Sequence, residues 1–113
     1  MKYDEIISEV KDLFPSEYDE SQLLKWIGEL EGDIALYRGE EPPKNVSPSG
    51  SSLAGAPFDR MYIDFIMAQI CLHQHDDEGY LRYINMFNAR YAAWKGYFVR
   101  THEGDGYQNK NWI

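Results

Sequence analysis

The chain has 113 residues, with 19 acidic and 11 basic side chains, a formal net charge of −8 and a pI near 4.7. That balance excludes a general affinity for phosphate backbones, which attract Lys and Arg, and the length suits one domain with a core of its own. The longest uncharged apolar run, around residues 65–72, is too short to span a bilayer. The acidic opening MKYDEIISEV lacks the basic and then apolar pattern of a signal peptide.

Four helical stretches are expected, and no strand pattern competes with them. The first, DEIISEVKDLF, places Ile6, Ile7, Val10, Leu13 and Phe14 on one apolar stripe, and Pro15 stops it. The second opens at Asp19 as N-cap with Gln22 three residues on. It continues through Leu23, Ile27, Leu30, Ile34 and Tyr37 and stops at Gly39. Gly28 and Gly32 share a face of this helix, which suits close approach of another helix. The third is expected from Pro57 or just after it. Its stripe of Met61, Phe65, Ala68 and Leu72 is widened by Tyr62, Ile66 and Ile70, so it belongs at the centre of a bundle. Residues 75–79 make a turn in which Asp76 or Asp77 caps the fourth helix. There Tyr80, Ile84, Phe87, Tyr91, Trp94 and Phe98 step by four and three, which predicts a buried face.

Two segments stand outside these helices. Residues 40–56 are rich in Pro, Ser and Gly and read as a long mobile loop. Residues 103–113, EGDGYQNKNWI, carry two helix-breaking glycines and then Tyr107, Trp112 and Ile113. They read as a flexible tail with an aromatic end suited to a partner's groove. The expected fold is therefore all-α: a compact bundle of about four helices over residues 1–102, followed by the tail.

Charge is unevenly distributed. Residues 1–41 hold 12 acids and 4 bases, and residues 57–79 hold 5 acids and 1 base. Residues 80–102 hold Arg82, Arg90, Lys95 and Arg100 and no acid. One reading packs this cationic helix beside acidic helices of the same subunit, where exposed pairs stabilise little. The other makes the four cations contacts between copies, since charge complementarity fixes partner and register and a head-to-side contact makes rings or filaments.

Catalytic chemistry is not apparent. His73 and His75 are two residues apart and diverge on a helix, whereas zinc ligands there stand at i and i+4. Cys71 lies in an apolar stretch without a local base and reads as a small buried hydrophobe. As a single cysteine it allows no internal disulfide and fits a reducing cytoplasm. His102 and Thr101 suit the negative end of the last helix. No cofactor, metal or membrane partner is expected, and no enzymatic activity.

Several segments together carry a family likeness. KWIGELEGDI matches a Trp-Leu-x-Glu-Leu-Asp-Gly pattern at Trp26, Ile27, Glu29, Leu30, Glu31 and Gly32. Ala56, Pro57, Phe58 and Asp59 match Ala-Pro-Tyr-Asp, with Phe58 in place of Tyr. Tyr62 with Ala68, Gln69 and Ile70 follows, then Tyr80 with Phe87, Asn88 and Tyr91, and Arg100 to His102 close the pattern. In these the chain resembles small head–tail connector proteins of tailed bacteriophages and prophages of Gram-positive bacteria. The resemblance covers most of residues 3–102. It implies a virion structural protein made in the host cytoplasm and placed at the head–tail junction. There it would form a homo-oligomeric ring on the portal protein, let DNA pass without specific binding, and receive the next neck or tail completion protein. The alternative from charge alone is a small acidic regulator or inhibitor of a host protein.

Overall fold

The computed structural model describes residues 1–14, 18–44 and 46–102. It holds four helices: α1 (Tyr3–Leu13), α2 (Glu20–Tyr37), α3 (Arg60–His73) and α4 (Asp77–Thr101). Among the described residues, the one bridge outside the helices is a lone antiparallel pairing of Lys2 with Ser51, so the chain is an all-α bundle. Tyr107, Trp112 and Ile113 of the tail lie outside the described residues.

Local signals set most helix ends. Asp19 caps α2 by accepting from the Gln22 N–H at 2.9 Å. Gly39 ends it in the left-handed region at φ 77°, which allows the Glu40 N–H to return to the Ala35 carbonyl at 2.8 Å. Asp76, the nearer of the two candidate caps, accepts from the Gly79 N–H at 3.0 Å and starts α4. The third helix begins at Arg60, later than the proline suggested. The chain first winds through tight turns in which Phe58 N–H meets the Gly55 carbonyl and Met61 N–H meets that of Phe58. The Ala56–Pro57 peptide is cis.

The core lies around α3, which touches each of the other helices. Ile6, Ile7 and Val10 meet Leu23, Ile27, Leu30 and Ile34, and α3 adds Met61, Tyr62, Ile63, Ile66 and Ile70. Phe87, Tyr91, Trp94 and Phe98 bury the expected face of α4, while Tyr80 and Ile84 nearer its start are half-exposed. Two expected core residues are not in the core. Leu13 is 59% exposed; at about 100° per residue it stands roughly 70° from the centre of the stripe formed by residues 3, 6, 7 and 10, where Tyr3 sits instead. Leu72 is 48% exposed. Because α3 is apolar almost all round, its periodicity did not define the open sector, which runs along Phe65, Gln69 and Leu72.

The most buried charge in the bundle is Glu31, whose side chain is fully enclosed. Its carboxylate accepts from the Tyr3 hydroxyl at 2.5 Å, from the Tyr62 hydroxyl, and from the Leu53 backbone N–H at 2.8 Å. Tyr62 in turn accepts from the Ala54 N–H at 3.1 Å. One carboxylate thus joins α1, α2, α3 and the connection between α2 and α3. Burial first, and then the bond to Glu31 and its charge, push both phenols well above the ordinary tyrosine range.

Among its described residues that connection contains no helix, as its composition suggested, but it is laid against the bundle rather than standing away from it. The Tyr3 and Asp4 N–H groups, orphans of the first turn of α1, donate to the carbonyls of Gly50 and Pro48 at 2.9 and 3.0 Å. Arg38 holds the Leu53 carbonyl at 2.9 Å, and Ala54 is fully buried. The segment has few large apolar groups, so backbone hydrogen bonds and small side chains do the anchoring. It also covers the glycine face of α2. A methyl group added at Gly28 or Gly32 would first meet Val46 or Pro42, 3.7 and 3.8 Å away, and not a neighbouring helix as their spacing suggested.

Two substitutions check this architecture. Trp94→Ala should cost about 3–5 kcal/mol in urea unfolding, the usual range for deleting a buried aromatic; a cost below about 1 kcal/mol would place the wrong face of α4 inside. Tyr62→Phe creates no cavity yet removes a donor from Glu31 and an acceptor from Ala54. It should cost about 1–3 kcal/mol, and a neutral result would show that the hydroxyl is dispensable.

Candidate functional site

The four cations of α4 divide into two pairs with different surroundings. Arg90 turns inward and forms a tight ion pair with Asp64 of α3, whose side chain is only 7% exposed. Burial pushes the Asp64 carboxyl up, and the Arg90 charge and hydrogen bond oppose that rise without cancelling it. Lys95 lies over two rings, its ammonium 4.3 Å from the centre of Tyr91 and 5.1 Å from that of Tyr37. The Tyr91 hydroxyl donates to Asp33 of α2 at 3.3 Å, and burial, then the Asp33 charge, raise this phenol also. Arg90 therefore pairs with an acid of the same subunit, and Lys95 with two of its rings.

Arg82 and Arg100 differ. Both are exposed, and neither has an acidic partner among the described residues. They are 18 residues apart, which is five turns of an α-helix, so they project from the same side of α4 about 27 Å from each other. Of the acids in α1 and α2, Asp4, Glu5, Asp12, Glu20, Glu29 and Asp33 are exposed. Glu9 is held by Arg60 at 3.1 Å. Among the described residues, α4 thus presents two exposed cations outside any ion pair, one of them (Arg82) 5.4 Å over the Tyr83 ring, while α1 and α2 present exposed acids.

The remaining candidates have structural roles. His73 packs its ring 5.2 Å from Trp26 and 6.4 Å from Tyr18, and its Nδ1 lies 2.9 Å from the Gln69 carbonyl. Among the described residues, no cluster of three His, Cys, Asp or Glu could hold a metal ion. Cys71 is buried at the corner between α3 and α4, where burial and then Asp76 push its thiol up. The corner is tight at position 79: a Cβ on Gly79 would lie 2.4 Å from Asp76 Oδ2 and 2.8 Å from the Cys71 sulfur, so one of these side chains would have to shift. His102 closes α4 with its ring stacked 3.9 Å from Phe98 and its Nδ1 2.9 Å from the Phe98 carbonyl. The resemblance motifs fall largely on the core, with Trp26, Leu30, Glu31, Tyr62, Ala68, Ile70, Phe87 and Tyr91 all buried. None of the described helices is long and apolar enough to cross a membrane.

No protein-family model, no curated protein and no solved structure matches this chain.

Arg90→Ala leaves the Asp64 carboxylate buried without its cation, which should cost about 1–3 kcal/mol at neutral pH, since Arg90 itself is partly exposed. Losing Arg90 raises the folded carboxyl further above its unfolded value. The penalty therefore builds as pH rises through the carboxylate range and falls away once the group is protonated in both states. Urea midpoints of the variant and the parent should converge toward about pH 4; a pH-independent gap would mean that Asp64 does not carry the effect.

Proposed function

We propose that the chain is a head–tail connector of a tailed bacteriophage, a helical adaptor whose copies assemble side to side in a ring on the portal and receive the next neck or tail protein. The observation that carries the reading is the separation of unpaired charge. Among the described residues, Arg82 and Arg100 stand on one helix without acidic partners, while α1 and α2 expose acids. A heterologous contact between these faces repeats around a closed ring, and its charges set register and partner choice. Arg82 and Arg100 take the intersubunit role, with Arg90 and Lys95 supporting the fold that presents them. An excess of acid on the remaining surface suits a channel through which DNA slides without adhering. The motif resemblance points the same way, and its buried residues would preserve the bundle across such proteins. The net charge of −8 also favours a second reading, an acidic inhibitor of a basic host protein.

Charge reversal tests the first against the second. Arg82→Glu with Arg100→Glu changes only exposed side chains, so helicity by circular dichroism should be unchanged. Assembly with the portal of the parent phage, followed by native mass, should fall at least tenfold, because each junction repeats the penalty. Higher salt should weaken the parent assembly in the same direction. Normal ring formation by the double variant would sink the connector contact proposed here.

A further inference from the structure

The buried stripe of α4 has a counterpart on the outside of the helix. Arg82, Met86, Ala89, Ala93, Gly96 and Arg100 step by the same fours and threes, so they form a second straight seam on the far side of α4 from the core. Met86, Ala89 and Ala93 are exposed, and so is Tyr97 on the flank of the seam. A solvated helix face ordinarily carries charge along its length. Here no charge stands on the seam between Arg82 and Arg100, because Arg90 and Lys95 leave it for Asp64 and for the rings of Tyr37 and Tyr91. What remains outside is an apolar middle with a cation about 14 Å to either side of it. Side chains as small as these alanines let a second helix approach closely.

We infer that this seam is the docking surface for α2 of a second copy of the chain, an inference that rests on the side-to-side reading above and supplies its partner face. On α2, Leu36 is 65% exposed. Glu29 and Asp33 stand on the same side, about 10 and 5 Å nearer the start of the helix, and Glu40 and Glu41 follow beyond its end. Lys25, one turn before Glu29, bounds the strip. The strip has an apolar middle with acids on both sides, which complements the apolar middle and flanking cations of the seam. Within one chain the two surfaces cannot meet. There α2 lies against the inner side of α4, with Tyr37 5.7 Å from Trp94 and Asp33 accepting from the Tyr91 hydroxyl. Other pairings fit less well. Seam against seam sets arginines against arginines. On α1 the residues between Glu5 and Asp12 on the outer side are Ser8, Glu9 and Lys11, so its middle is polar where the seam needs an apolar group.

The test uses the full chain, concentrated and at low salt, with no portal present. The photoreactive residue benzoylphenylalanine replaces Met86 on the seam, and heavy-isotope copies are mixed in so that bonds between copies are told apart by mass. Irradiation should join position 86 to the tryptic peptide of residues 26–38 of another copy. The yield should fall about fivefold or more at high salt, and likewise in Leu36→Lys, which sets a cation against the cationic face. Leu36 is exposed near the C-terminal end of α2, where a cation suits the helix dipole, so helicity should be unchanged. Capture of a different peptide of the other copy, such as residues 3–11 of α1, would overturn the α2 contact while leaving side-to-side assembly standing. An undiminished yield in Leu36→Lys, or no bond between copies at all, would overturn it as well. The connector reading is judged apart from this, by assembly of the parent chain on the portal.

Discussion

The buried carboxylate of Glu31 is the constraint around which the first three helices are arranged. A carboxylate withdrawn from water is tolerable only if its oxygens are saturated with donors, and here the donors come from three other segments: Tyr3, Leu53 and Tyr62. None of them is a neighbour in sequence, so the network forms only when α1, α3 and the connection are all in their final register. Apolar side chains alone would let these helices slide by part of a turn at little cost. The carboxylate does not, because each small displacement leaves a buried donor or acceptor unmatched. This also explains how a segment as poor in large apolar groups as residues 46–56 can lie on the bundle with a defined path.

The fourth helix is held in another way. Its grip on α3 combines a continuous aromatic stripe with one ion pair, Arg90 to Asp64, and its flank toward α2 is closed by Lys95 over Tyr37 and Tyr91. Two cations are thereby absorbed in positioning the helix, and two are left on its outside. The function proposed for the chain draws on this division. The absorbed pair makes α4 a rigid rod fixed to the core, and a rigid rod can hold Arg82 and Arg100 at a constant separation for a partner surface.

How much of this was readable beforehand depended on the distance over which each signal acts. Asp19, Gly39 and Asp76 act on residues three to five positions away, so the ends of α2 and the start of α4 follow from short stretches of sequence. The stripe of Phe87, Tyr91, Trp94 and Phe98 is strict enough to define a buried face by itself. Glu31 was invisible as a network centre because its partners lie 22, 28 and 31 residues away. The available hint was its place one helical step beyond Ile27, at the flank of the buried stripe, where a solvated acid is out of place. Leu13 and Leu72 misled for a simpler reason: each stands toward the edge of its stripe, and periodicity says which residues share a face but not how wide a sector of that face is covered. The division among the cations was equally hidden, since Arg90 and Arg82 look alike until Asp64 is brought beneath one of them.

The corner at Gly79 has a practical corollary. The thiol of Cys71 is enclosed there by Asp76 and by a glycine whose replacement would push one of these side chains aside, and it is the single thiol in the sequence. Reagents that alkylate thiols reach it only when the fold opens around it, because the thiol is buried. The rate at which the protein takes up such a label therefore reports openings that uncover this corner, readable by mass on an unmodified chain. Anything that holds the corner closed slows that uptake, and so is reported from inside the fold rather than from the surface.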